Sequence, residues 1–540
     1  MQLALLSLAW PLISETYKRF MIKKLLLLIL SLLALASANA EKLSSEVSPS
    51  VLSKAEGAKP SRQAQDRPNI VFVMTDDQRW DSFGCYGRPE FKTETIDQLS
   101  AEGVTFDNAF YAVAICCPSR ATMMTGRYFA SHQSGFAYPH NKGMSGPDFG
   151  DAYPALLKKA GYRTGFVGKF GFRIPRASWH DSFDFLALKS KTAPNGEIWP
   201  MDATLEKIYS RDRDPKERTI IKGDAMIHFL DTQPKDQPFM LSVSFDAVKN
   251  DSDRDMYGPD TEVFVNQEMT VHGNWVEGKN EKLPKVVLDY CRGGRMHLDR
   301  TSTPELYQKI VRRFATQGYT VDRQVKRLMD KLEAMGVKDN TVVIYTSDNG
   351  RFHGSHGLYD KAILYDDVVK QPLIIWDGRK VGKQPAARVD AMVSSTDVAP
   401  TIMALAGVEI PEKVEGVSLT GFLDGSVDLT DWREFVFMEN LFIEEMFKAG
   451  RGQPRGVKID HAALNADMIE NNRSYRSRGV RSQKYKYFVY FEHTPAIEEL
   501  YDIEKDPLEM NNLAANPEYA SVLEALRKDT ENLYEEYSEN

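Results

Sequence analysis

The chain has 540 residues, 42% of them hydrophobic, which allows one large or two unequal domains with a sizeable core and excludes global disorder. Lysine and arginine number 68 against 76 aspartates and glutamates, a net charge of −8; this argues against a nucleic-acid binder, although a local basic pocket can still take an anionic substrate. The four cysteines, Cys85, Cys116, Cys117 and Cys291, are too few for a disulfide scaffold and show no Cys-x-x-Cys spacing, while one disulfide among Cys85, Cys117 and Cys291 stays open in an exported chain.

Met21-Ile22-Lys23-Lys24 begins a basic segment, Leu25–Leu35 is an apolar run, and Ala38-Asn39-Ala40 has the small-x-small form of a cleavage site. The run is short for a membrane span. Residues 1–40 are therefore expected to be a signal peptide, with Met21 as the true start, no stable membrane insertion after cleavage and a periplasmic or secreted product. No cysteine at the cleavage point supports a lipid anchor. Residues 41–66, rich in Ser, Ala, Lys and Pro, read as a flexible linker.

The folded body begins near Arg67. Ile70–Met74 is a continuous apolar run, as in strands buried on both faces of an α/β sheet, and it ends in Asp76-Asp77. Such strand ends are where α/β proteins place ligand sites, and adjacent carboxylates there need a partner or a cation; ordinary turn aspartates are the plain alternative. A partly helical segment follows, with Ile96 and Leu99 facing inward before Gly103. Ile115-Cys116-Cys117-Pro118-Ser119-Arg120 then leads into a helix, with Pro118 suited to its first position. Cysteines at a helix N-terminus beside a permanent cation sit where an anion is favoured; a buried thiol or a disulfide half is the plain reading of Cys116. Ala155–Ala160 reads as a short helix, and Phe239–Phe245 as a buried strand. From Lys249 to about Met296 the chain is polar and reads as a long surface insertion suited to substrate contacts. Val321, Val325, Leu328, Met329, Leu332 and Met335 form a helical core stripe closed by Gly336. Thr341–Thr346 is another strand, ending in Asp348-Asn349, and Pro372–Trp376 another. Tyr485–Tyr490 alternates as an antiparallel strand, and a terminal helix spans about Tyr519–Tyr537. The expected domains are a catalytic body over 67–428 and a C-terminal α+β subdomain over 429–540 with a small antiparallel sheet.

The string Cys116-x-Pro118-Ser119-Arg120, followed by Thr125-Gly126-Arg127, resembles the signature of the type I, formylglycine-dependent sulfatases. Asp76, Asp77, Asp348 and Asn349, Gly168-Lys169, His356-Gly357 with Lys361, and the Leu500-Tyr501-Asp502 to Asn512-Leu513 segment follow in that family's order. The resemblance implies an alkaline-phosphatase-like α/β fold, a large mixed, mostly parallel sheet sandwiched by helices. It implies conversion of Cys116 to 3-oxoalanine (formylglycine) by a maturation enzyme, and a gem-diol that attacks sulfur and then expels sulfate. Arg120, Lys169 and Lys361 would hold the sulfate oxygens, with His356 alongside. Asp76, Asp77, Asp348 and Asn349, with modified Cys116, would ligate the metal. This hard oxygen set suits Ca²⁺ better than Zn²⁺, with Mg²⁺ second.

Two positions depart from the family pattern: Gly171 and Lys249 stand where it has histidines tied to acid–base work or sulfate contact. Lys249 could donate to the leaving oxygen instead. His132, His140 and His180 read as ordinary surface or satisfied histidines. The leading expectation is a sulfatase acting on a sulfated polysaccharide or glycosaminoglycan; the alternatives are a phosphodiester or phosphonate hydrolase of the same superfamily, or a catalytically impaired glycan binder.

Overall fold

The apolar runs become the centre of one large sheet. The structure, a computed structural model, describes residues 67–135, 138–188, 201–210, 212–249, 256–382, 387–449 and 459–539; the expected signal peptide and linker lie outside the described residues. The strands are β1 (Asn69–Thr75), β2 (Val104–Phe106), β3 (Ala109–Phe110), β4 (Arg163–Gly168), β5 (Phe185–Leu188), β6 (Phe239–Ser244), β7 (Thr341–Ser347), β8 (Leu373–Asp377), β9 (Ala387–Val389) and β10 (Val393–Ser394). Eight of them form a sheet in the order β5-β4-β6-β1-β7-β8-β2-β9. Only β8 runs against its neighbours; every other pair in this sheet is parallel.

The continuous apolar character of β1 follows from this placement. Ile70, Phe72 and Met74 face one core, and Val71 and Val73 face a second on the opposite side. Helices cover both faces. In chain order the ones used below are α1 (Glu94–Glu102), α2 (Cys116–Thr125), α3 (Arg218–Asp231), α4 (Pro304–Ala334) and α5 (Val398–Leu405). Met123 of α2 and Val398 and Ile402 of α5 join the first core; Phe229 of α3 and Phe314, Val321, Val325, Leu328 and Leu332 of α4 join the second. Each such fully buried side chain contributes about 1.5–3 kcal/mol. The mostly parallel, helix-covered sheet is the expected architecture. α4 begins well before the expected stripe: Thr303 caps it, its hydroxyl accepting from Leu306 N at 3.4 Å, and Pro304 opens it.

A second sheet of β11 (Val436–Asn440), β12 (Ser477–Arg481), β13 (Tyr485–Tyr490) and β14 (Ile497–Asp502) is antiparallel throughout. Tyr487 and Val489 pack with Leu523 and Leu526 of the terminal helix α6 (Ala520–Glu539), while Phe488 and Tyr490 face the other way. This alternation is the pattern seen in the sequence.

Two expectations change. The stretch after Lys249, described from residue 256, is not irregular throughout; it contains helices at Gly258–Glu262, Lys285–Tyr290 and Arg292–Arg300. It folds back onto the segment after β7. Trp275 bridges to Ser355, and Asn280 Nδ2 donates to the His356 carbonyl at 2.9 Å. All four cysteines are free, so no disulfide forms among Cys85, Cys117 and Cys291. No described helix is long and apolar enough to cross a membrane.

Candidate active site

Four adjacent parallel strands, β4, β6, β1 and β7, deliver their carboxyl ends to one place. Asp76 and Asp77 follow β1, Asp348 and Asn349 follow β7, Lys169 follows β4, and Lys249 lies on the turn after β6. The backbone locks these ends together. Asp76 N donates to Ala247 O at 2.8 Å, and Asp77 N to Asp348 Oδ1 at 3.0 Å. Asp77 itself sits at φ +63°, a left-handed conformation held by these neighbours. Across from the strand ends stands α2, all ten of whose residues are buried. Cys116 is its first residue and Ile115 the N-cap. Pro118 is thus the third helical residue, not the first; its missing N–H still falls in the turn whose donors have no helical partner. The first in-helix bond runs from Ser119 N to Ile115 O at 3.1 Å.

Cys116 Sγ lies 3.5 Å from Asp76 Oδ1, 3.7 Å from Asp77 Oδ1, 2.8 Å from Lys361 Nζ and 3.3 Å from Lys249 Nζ. Arg120, fully buried, donates from Nε to Asp348 Oδ2 at 2.8 Å and from Nη1 to Lys169 O at 2.5 Å. Lys169 pairs with Asp76, and Lys361 with Asp77. Lys249 reaches Asp76 Oδ1 at 3.3 Å, and its side chain is the most open of the group at 39% exposure. Arg351, unmarked by the sequence reading, donates to Asp77 Oδ2 at 2.8 Å and to Lys249 O at 3.3 Å, with its guanidinium 4.7 Å from the Tyr359 ring centre. The only signal for it was its position two residues after Asn349.

Five cations therefore surround three carboxylates, leaving a positive excess in a negatively charged protein. Burial alone would push Asp76 and Asp77 up. For Asp76, Lys169, Lys249 and Arg120 reverse this and hold it well below the usual carboxylate range; for Asp77, Lys249 and Lys361 bring it to about 2. Burial, then Asp348 and Asp76, push the Cys116 thiol up. Unmodified Cys116 is consequently a protonated thiol and a poor nucleophile.

Asp76, Asp77, Cys116 and Asp348 each offer one ligand atom, all within 4.8 Å of one another and all buried. Asn349 turns its amide oxygen toward Lys361 at 3.2 Å and donates to Asp77 at 2.8 Å. Three carboxylates plus an amide oxygen fit a hard, oxygen-seeking dication.

His356 does not join this cluster. Its Nε2 lies 3.2 Å from Asp367 Oδ2 and 3.2 Å from Asn274 Nδ2, and its ring stacks on Tyr365 at 4.2 Å. It braces the loop that carries Lys361. His132 bonds Thr122, His140 packs on Phe129, and the exposed His180 lies on a short helix; none reaches Cys116. Gly171 is at φ +101°, and a Cβ there would stand 2.6 Å from Arg120 Cδ. The preceding Phe170 is locked into an aromatic cluster with Phe172 at 4.6 Å and Trp179 at 4.5 Å.

The chain matches the family profile described as Sulfatase over residues 68–408, and the profile described as N-sulphoglucosamine sulphohydrolase, C-terminal, over residues 467–536. It is 27% identical to the N-acetylglucosamine-6-O-sulfatase of Bacteroides thetaiotaomicron, over 91% of this chain and 90% of that one. Among solved structures it resembles a protein captured with its substrate D-glucosamine-2-N,6-O-disulfate, with TM-score 0.68, 24% identity, and 88% of this chain and 99% of that one covered. It also resembles the phosphonate monoester hydrolase of Agrobacterium radiobacter, with TM-score 0.64, 21% identity, and coverage of 87% and 96%. The likeness to these two structures establishes the fold.

Proposed function

Because the chain belongs to the sulfatase family, we propose that it is an exported, metal-dependent enzyme that hydrolyses sulfate esters of a carbohydrate, with modified Cys116 as nucleophile. The observation that carries this reading is the ring of cations around Cys116. A sulfate ester brings negative charge, and the site meets it with Lys361 at 2.8 Å and Lys249 at 3.3 Å from the Cys116 sulfur, which marks the position an oxygen of the modified residue would take. The carbohydrate class is supported by the relatives, whose names specify N-acetylglucosamine and ulvan.

Each residue then has a role. Oxidised by a maturation enzyme to formylglycine, Cys116 would supply as its hydrate the hydroxyl that attacks sulfur and the second hydroxyl that releases sulfate. A divalent cation, Ca²⁺ ahead of Mg²⁺, held by Asp76, Asp77, Asp348, Asn349 and the modified Cys116, would polarise the S–O bonds. Lys361 and Lys169 bind the sulfate oxygens and favour the charge that develops on them. Arg120 fixes the metal ligand Asp348 and the Lys169 backbone together. Lys249, the most open of the cations, gives a proton to the leaving oxygen, the part a histidine plays in the family pattern. His356 acts as a positioning residue through the Lys361 loop.

The test is sulfate release from a panel of sulfated glycans, with an aryl sulfate and an aryl phosphodiester alongside. The protein is coexpressed with a formylglycine-generating enzyme, and Cys116→Ala is the paired control. Release that Cys116→Ala abolishes supports the reading. No release from any sulfate ester, with the aldehyde verified by mass spectrometry, overturns it, and faster turnover of the phosphodiester reassigns the site to phosphoryl transfer.

A further inference from the structure

Arg79 ties down the loop that carries Lys361. It lies two residues after Asp77, beyond the exit of β1, and is buried. Its Nη1 donates to the carbonyls of Arg351 at 3.0 Å and Phe352 at 2.9 Å, and to Ser355 Oγ at 3.1 Å. Its Nη2 donates to Asp367 Oδ1 at 2.8 Å. Lys361 stands midway between these anchors, six residues after Ser355 and six before Asp367. One guanidinium thus holds both ends of the loop against the strand exit that carries Asp76 and Asp77.

The surrounding residues fix the guanidinium itself. Asp81 accepts from its Nε at 2.9 Å and its Nη2 at 3.1 Å as a fork. The segment after Lys249 adds His272, whose Nδ1 is 3.3 Å from Asp81 Oδ2, and Asn274, whose Nδ2 donates to Asp367 Oδ2 at 2.9 Å. All three guanidinium nitrogens therefore have acceptors, on separate edges of one plane. An ammonium carries its three donors on a single atom and does not span them. Arg79 makes no hydrogen bond to Lys361 or Cys116, so any effect on them passes through the loop. That loop supplies two partners of Asp77, Arg351 and Lys361, and Lys361 Nζ is also 2.8 Å from Cys116 Sγ.

We propose that Arg79 is a positioning residue that sets where the Lys361 ammonium meets the substrate oxyanion. The inference rests on the sulfatase reading above and deepens it. Lys361 ends in a point charge on a flexible stem, so its reach is defined only if its loop is held. Tying both loop ends to one guanidinium, next to Asp77 in the chain, keeps the ammonium, the carboxylates and Cys116 in one frame. The fork of Arg79 is what this requires, and its charge alone is not enough.

The experiment is a double-mutant cycle of Arg79→Lys with Lys361→Ala, read as kcat/KM on an aryl sulfate and, separately, as the Kd of inorganic sulfate by calorimetry. Arg79→Lys alone should lower kcat/KM by about 10²-fold, the scale of a 1 Å misplacement, and weaken sulfate binding by about tenfold, the scale of one lost charge-assisted hydrogen bond. In the Lys361→Ala background the same change should cost far less on both readouts, because the group it places is gone. Loss of stability alone lowers the folded fraction in both backgrounds alike, and thermal melting of all four proteins measures it. Asp367→Asn, which keeps the shape and weakens the far anchor, runs the same cycle where Arg79→Lys does not fold. Losses equal in the two backgrounds, or native values for Arg79→Lys, overturn the proposal. If the native protein releases sulfate from no ester, the sulfatase reading falls, and the cycle in sulfate affinity decides the role of Arg79 by itself. A native protein that neither hydrolyses an ester nor binds sulfate removes both.

Discussion

Restoring the family histidine at Gly171 is predicted to damage the protein. Gly171 sits at φ +101°, where a side chain costs about 1–3 kcal/mol in backbone strain. Its Cβ would also stand 2.6 Å from Arg120 Cδ. Arg120 cannot swing away cheaply, because its head is fixed to Asp348 at 2.8 Å and to Lys169 O at 2.5 Å in a fully buried setting. Overlap with such a side chain costs about 1–3 kcal/mol more. Gly171→Ala should therefore lose roughly 2–6 kcal/mol, a large part of the 5–15 kcal/mol that holds a typical protein folded, and Gly171→His at least as much. The assay pairs urea unfolding with sulfate release. Both variants should unfold earlier and lose kcat, since Arg120 is displaced from Asp348. A Gly171→Ala protein with native stability and native kcat, or a Gly171→His protein with raised activity, would refute the reasoning.

Three further outcomes are expected. Lys249→Met should lower kcat by about 10²–10⁴, more for an alkyl sulfate than for 4-nitrophenyl sulfate, whose leaving group needs no proton; equal losses on both would assign Lys249 to sulfate binding only. Chelation should lower the melting temperature and abolish sulfate release, with Ca²⁺ restoring both; at a hundredfold excess over Kd the ion contributes about 2.7 kcal/mol, and Asp348→Asn should remove most of that response. Burial raises Glu439 from 4.5 to about 7. A carboxyl raised on folding stabilises least where it must ionise, so stability is lost as pH climbs from about 4.5 to about 7 and stays low above. Glu439→Gln, which keeps an oxygen for Ala130 N, should thus gain up to about 3 kcal/mol at pH 8 and nothing near pH 4; identical urea midpoints at pH 8 would show the raised acid to be absent.

The central strands were legible because a strand buried on both faces leaves an unbroken apolar run. Ile70–Met74, Phe239–Phe245 and Thr341–Thr346 each match an observed strand to within a residue or two. The short strands β2, β3, β9 and β10 carry too few residues for any period to register. In the site, motif context located Asp76, Asp77, Cys116, Arg120, Lys169, Asp348 and Lys361, and the fold brings them together. It also named His356, which faces Asp367 instead, because one residue of motif context cannot say which side of a loop a ring occupies. Lys249 departs from the family pattern, so no motif marked it in the sequence. In the structure the β6 turn carries it to Cys116, 133 residues earlier in the chain. Arg351 was invisible because an arginine that pairs with a buried carboxylate looks, in sequence, like any surface arginine.

The sheet order also sets a timetable. β1 is made first, yet its partners β6 and β7 begin 170 and 272 residues after it. At about 5–20 residues per second of synthesis, β1 waits roughly 15–55 s for its second neighbour. Until then Asp76 and Asp77 have no Asp348 or Lys361 to meet, and α2 lacks α5, one of the helices it packs against. Cys116 is only 7% exposed once the fold closes, and it is made 225 residues before β7 begins. The residue on which the proposed chemistry rests is therefore reachable by an outside enzyme early in the life of the chain, and sealed from it afterwards.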